Sequence, residues 1–156
     1  MELSQIVCTE AIIPQLKATE RDKVIEELVT ALGRHLGIDS AKVKQLVKLA
    51  VKREKEASTG IGKGVAVPHV KDDMIKEPLA AVGCSQEGVD FSSLDKQPVY
   101  SVFLLLSPSS EPDRHLQAME AIFKNLQKDD FRRFLRQAQT KEAILEAIRD
   151  AEEDNR

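Results

Sequence analysis

Apolar residues recur every three to four positions at Val24, Leu28, Leu32 and Leu36, with Ile25 and Val29 beside them, which predicts an amphipathic helix. Thr19-x-x-Asp22 reads as a capping box before it, and Gly37 as the residue that ends it. His35, near that end, is expected on the surface, where a cation is mildly favoured. A second stripe, Val43, Leu46, Val47, Ala50 and Val51, predicts a helix over about 41–56, capped by Asp39 or Ser40. The next positions on this stripe are Arg53 and Glu54. Their charges continue the core-facing side, where a charge needs a partner or a ligand, the alternative being a fraying helix end that carries a surface ion pair.

The period then changes. Val65, Val67 and His69 share one face of an extended segment. Pro68 lacks an N–H, so the segment is at an edge or ending there. Leu79–Gln86 reads as a strand that includes Cys84, and Gly88–Gln97 as a loop. Val99–Leu106 is almost continuously apolar, as expected of a central strand covered on both faces. A proline- and serine-rich loop opens at Ser107. After it, Leu116, Met119, Ile122, Phe123 and Leu126 form a helical stripe, with His115 at its first turn. Asp129 or Asp130 starts another helix carrying Phe131, Phe134, Leu135 and Ala138. Thr140 caps a last one with Ile144, Leu145 and Ile148. Residues 1–18, interrupted by Pro14, are expected to be irregular. The reading is one α/β domain over residues 1–150, followed by a charged tail, 151–156, expected to fray.

Composition narrows the function. Net charge is −3, so no basic footprint for nucleic acid or an anionic membrane is present, and with no Trp and one Tyr there are few platforms for stacking bases. Val99–Leu106 is far too short to span a bilayer. The N-terminus lacks a basic segment followed by an apolar run, and a reduced cytoplasm is the expected location. Cys8 and Cys84 are isolated and fit no metal or redox spacing.

The densest chemistry lies between Arg53 and His69, where three of the seven glycines fall within five residues, at Gly60, Gly62 and Gly64. This is not a Walker loop, which needs Lys-Ser or Lys-Thr after its last glycine, because here the order is Gly62-Lys63-Gly64. Nor is it a Rossmann loop, because these glycines open a strand rather than a helix. The expected picture is an imidazole at a strand end beside a loop of exposed N–H groups. His115 falls at a helix N-terminus just beyond a buried strand, which is where ligand crevices form in open α/β sheets. No serine or cysteine makes a nucleophile motif with a histidine. Zinc on His69 and His115 lacks a clear third ligand. A neutral imidazole, however, is itself a nucleophile suited to phosphorus. Arginine and backbone N–H groups hold phosphate oxygens. The set is consistent with a phosphohistidine site that needs no metal.

Arg53-Glu54 followed by Ser58-Thr59-Gly60-Ile61-Gly62-x-Gly64-Val65-Ala66-Val67-Pro68-His69 closely resembles the fructose/mannitol/nitrogen-regulatory EIIA family of the bacterial phosphotransferase system. His115-Leu116 and the C-terminal helices extend the resemblance over nearly the whole chain. It implies a central mixed β-sheet flanked by helices. It implies that His69 takes a phosphoryl group from the small carrier HPr or its nitrogen-branch counterpart. His115 would help bind that group and Arg53 would support the anion or the partner contact, with Glu54 and Thr59 in supporting roles. No cofactor or metal is implied. The phosphate would pass to a separate EIIB in sugar transport, or act as a switch for regulatory target proteins. A chain without a transporter segment leans to the regulatory reading. One position departs from the family, which has glycine directly after the active histidine where this chain has Val70. If that glycine uses φ > 0, Val70 is strained, and a non-phosphorylated scaffold becomes an alternative.

Overall fold

The apolar run Val99–Leu106 forms the centre of the sheet in the computed structural model of the chain, which describes residues 1–155. As β6, Val99–Pro108, it is buried along nearly its whole length and has partners on both edges. β5, Leu79–Val89, runs antiparallel to it, and β1, Val7–Ile13, lies parallel to β5 at the sheet edge. On its other edge β6 pairs in parallel first with β3, Val65–Ala66, and then with β4, His69–Asp72. Val67 and Pro68 separate these two short strands. β2, Gly60–Gly62, closes this side antiparallel to β3. The sheet is therefore mixed, as expected of the family resemblance.

Alternation along the strands sorts the helices into two layers. Val65, Val67, Phe103 and Leu105 point into one core, with α1 (Leu3–Ile6), α4 (Pro112–Leu126), α5 (Asp129–Gln137) and α6 (Lys141–Glu153). Ala66, Val70, Val102, Leu104 and Leu106 point into the other, with α2 (Arg21–Leu36) and α3 (Ser40–Glu56). Gly37 ends α2 at φ 69°, Asp39 caps α3 by accepting from the Lys42 amide, and Thr140 caps α6 by accepting from the Ala143 amide.

Several expectations are corrected. Residues 1–18 are not irregular throughout, because Leu3–Ile6 turn into α1 and Val7–Ile13 form β1 before Pro14. Parallel pairing with β5 supplies the partner that local sequence cannot show. Thr19 does not cap α2: the cap is Glu20, with no side-chain bond. Residues 151–153 do not form a loose tail but complete α6. Ala151 and Glu152 are buried there, and the Glu152 carboxylate accepts from the Ser4 amide. Leu36, Leu116 and Phe134 fit helical stripes but are substantially exposed, at 40%, 58% and 41%. In α4 the buried face runs instead through His115, Ala118, Ile122 and Leu126.

Candidate active site

Parity along the β3–β4 edge decides where His69 points. It shares the face of Val65 and Val67, whose layer contains α4, whereas Val70 faces α2 and α3. Register places His69 opposite Leu105 on β6, two residues before Ser107. β6 then leads directly into α4, whose first turn carries His115. The two imidazoles therefore meet, with ring centroids 5.4 Å apart and planes at 49°.

The hydrogen bonds assign the nitrogens. His69 Nδ1 lies 3.0 Å from the Val67 carbonyl oxygen. A carbonyl only accepts, so Nδ1 carries the proton and the neutral ring has its lone pair on Nε2. Burial, with the charges of Arg53 and Lys71, pushes the His69 pKa below its usual value, against the Val67 bond and the Glu54 charge, which raise it. His115 Nδ1 lies 2.7 Å from Ser107 Oγ in a buried contact. Burial first, then His69 and Lys71, lowers the His115 pKa to about 4. Both shifts favour the uncharged ring. His69 is half-buried and reachable from solvent, whereas His115 is only 5% exposed.

Arg53 and Glu54, adjacent in α3, serve different ends. Glu54 is 1% exposed and finds its partner in Thr59, accepting from the amide at 2.6 Å and from the hydroxyl at 2.7 Å. It ties the end of α3 to the segment leading into β2. Arg53 is partly exposed. Its guanidinium donates to the Ala57 carbonyl at 3.1 Å, and its charge acts on His69.

The glycine segment corrects an expectation. It is a hairpin rather than an open cradle of N–H groups. Lys63 and Gly64 form its two-residue tip at φ 60° and 79°, the positive pair that a type I′ turn requires. Two of its amides are already engaged: Gly60 N–H with Ser58 Oγ at 3.0 Å, and Lys63 N–H with Asp95 at 3.0 Å. Gly60 must be glycine for a packing reason, since a Cβ there would lie 2.3 Å from Ser93 Oγ. The cations available to an anion beside the histidines are thus Arg53 and Lys71, rather than a ring of backbone amides.

Val70 is not strained. Among the described residues, positive φ occurs outside glycine only at Lys63, Ser92 and Lys96. Val70 lies in β4 opposite Leu106 and is 8% exposed in the α2/α3 core. Sequence reasoning missed Ser107, which it placed in a loop, and Lys71. The signal for Ser107 was present: it continues the alternation Phe103, Leu105, Ser107 toward α4.

The chain matches the family described as "Phosphoenolpyruvate-dependent sugar phosphotransferase system, EIIA 2" over residues 5–151. It is 32% identical over 149 residues to a fructose-specific EIIABC component of Bacillus subtilis, covering 95% of this chain and 23% of that protein. It is 31% identical over 148 residues to a nitrogen regulatory protein of Bradyrhizobium diazoefficiens, covering 95% of each. Its fold is similar to the crystal structure of nitrogen regulatory protein IIA-Ntr from Neisseria meningitidis, with TM-score 0.82, 26% identity, and coverage of 92% of this chain and 97% of that one. The chain therefore spans about a quarter of one relative and nearly all of the other. Among the described residues no helix is long and apolar enough to cross a membrane.

Proposed function

The chain belongs to the EIIA 2 family of the phosphoenolpyruvate-dependent sugar phosphotransferase system, and on that premise we propose that it is a phosphohistidine carrier that accepts its phosphoryl group on Nε2 of His69. The carrying observation is the bond from His69 Nδ1 to the Val67 carbonyl, which fixes the proton away from the reacting nitrogen. The donor is the phosphohistidine of HPr or an HPr-like protein. The Nε2 lone pair of His69 attacks phosphorus as the donor's N–P bond breaks, and the bonding pair returns to the donor imidazole. The proton stays on His69 Nδ1 throughout, donated to the Val67 carbonyl. The reaction needs positioning and charge stabilisation rather than a base, because the nucleophile is neutral before attack.

His115 and Arg53 act on the transferring group. If Ser107 donates its hydroxyl proton to His115 Nδ1, the His115 proton resides on Nε2 and is available to a phosphoryl oxygen. Arg53 and Lys71 supply positive charge beside His69. The half-buried imidazole suits an incoming protein surface. The open groove of about 1190 Å3 between α2 and α3 is lined by neither histidine.

Downstream, we favour the nitrogen-regulatory destination, in which the phosphorylation state of His69 changes which protein docks around it. Its support is the likeness in sequence and fold to nitrogen regulatory proteins. The second reading, donation to a separate EIIB as in fructose or mannitol transport, is favoured by the likeness to the fructose-specific protein. Val70, the ground for a non-phosphorylated scaffold, offers that alternative no backbone strain.

The test is incubation with phosphorylated HPr. The native chain should gain one acid-labile phosphoryl group, and His69→Ala should gain none. Equal labelling of His69→Ala would refute the assignment. Rapid loss of label to a purified fructose EIIB would select the transport reading over the regulatory one.

A further inference from the structure

We propose that Cys8, Glu10 and His35 form a zinc-binding site on the flank of the sheet carried by β1, a site separate from the histidine pair. Cys8 and Glu10 are two residues apart on that edge strand, and His35 is in the last turn of α2. Their ligand atoms all lie within 4.8 Å of one another. Cys8 Sγ is 3.6 Å from a Glu10 carboxylate oxygen, and His35 Nδ1 is 3.4 Å from the same oxygen.

These spacings match a coordination tetrahedron. Zn–S of about 2.3 Å and Zn–N or Zn–O of about 2.0–2.1 Å imply edges of roughly 3.3–3.5 Å between neighbouring ligands. Two of the three edges are already near that length, and the partly exposed His35 ring can shorten the third by a small rotation. A thiolate, an imidazole and a carboxylate form a donor set for a borderline cation, not for calcium or magnesium. Three protein ligands leave a fourth position to water. The charge balances: Zn2+ is offset by one thiolate and one carboxylate, with a neutral imidazole. The Cys8 thiol, whose pKa burial raises, loses its proton to solvent as the Zn–S bond forms. Backbone hydrogen bonding first, then the Cys8 contact, favours the Glu10 carboxylate as the anion.

Sequence spacing could not reveal this group, because β1 and the end of α2 are distant in the chain. Zinc held there would tie an edge strand, which among the described residues pairs only with β5, to the C-terminal turn of α2.

The experiment titrates the full chain with Zn2+ against a chromophoric chelator, and separately with Co2+ followed by visible absorption. The expected result is one Zn2+ per chain, a thiolate-to-cobalt charge-transfer band, and a melting temperature that rises with zinc. Loss of an outer-shell partner typically costs about 10–100-fold in metal affinity, so loss of a direct ligand should cost at least that. Cys8→Ser, Glu10→Gln and His35→Gln should each do so, and Cys8→Ser should also lose the band. The exposed Glu10 and His35 can be changed without entering the core, so a folding defect in Cys8→Ser would leave the test intact. His69→Ala should bind zinc as the native chain does. No binding, binding unchanged in Glu10→Gln and His35→Gln, or binding lost in His69→Ala would each overturn the proposal.

Discussion

Glu54 gives the sharpest energetic prediction. Its carboxylate is 1% exposed and accepts from both the amide and the hydroxyl of Thr59, at 2.6 and 2.7 Å. Glu54→Ala leaves a buried N–H and a buried O–H without an acceptor, at about 1–3 kcal/mol each. One methylene of packing, about 0.8 kcal/mol, goes with them. After partial relaxation we expect a loss of about 3–5 kcal/mol, a large share of the roughly 5–15 kcal/mol that holds such a domain together. Glu54→Gln should cost less, about 1–2 kcal/mol, because its oxygen still serves the Thr59 amide while the Thr59 hydroxyl turns to accept from the new NH2 group. Urea unfolding reads both values as shifts of midpoint at constant slope. In a melting experiment, Glu54→Ala should fall by about 10 °C. A loss below about 1 kcal/mol for Glu54→Ala, or equal losses for the two variants, would refute the hydrogen-bond account.

Three further outcomes follow from the same geometry. Val70→Gly should lose about 2–3 kcal/mol of stability in urea unfolding, from lost burial and added chain freedom, without faster phosphoryl transfer in rapid-quench kinetics. Ser107→Ala should slow transfer onto His69 by about tenfold in the same assay, the size of the bond from His115 Nε2–H to a charged phosphoryl oxygen that Ser107 positions, with an unchanged far-ultraviolet spectrum. The His115 pKa is lowered in the folded chain, so the unfolded chain binds the extra proton first and stability falls as pH drops from about 6.5 through about 4. Urea midpoints across that window should decline less steeply for His115→Gln than for the native chain.

How much of this was legible in the sequence depended on whether the cause was local. The stripes of α2 and α3, the central position of Val99–Leu106 and the Thr140 cap follow from periodicity and capping chemistry, and all are present. The charge of Glu54 on a core-facing stripe left open a buried partner or a surface ion pair, and the structure supplies the buried partner, Thr59. What failed depended on distant pairing. β1 exists because β5 lies beside it, and the end of α6 is ordered because Ser4 and Lys128 meet it. The glycine segment shows the same limit. Its composition indicated an unusual backbone but could not distinguish an anion cradle from a tight hairpin whose Gly60 and Lys63 amides are already engaged. The convergence of His69 on His115 needed the parallel β4–β6 register, which no local pattern encodes.

The central claim is that the lone pair on one nitrogen of His69 takes the phosphoryl group. It is tested most directly by nuclear magnetic resonance of the chain carrying isotope-labelled histidine, after phosphorylation by phospho-HPr. The account predicts phosphorus–nitrogen coupling to Nε2 of His69 alone, with Nδ1 still protonated against the Val67 carbonyl. Phosphorus on Nδ1 of His69, phosphorus on His115, or no phosphorylation by any carrier would contradict it.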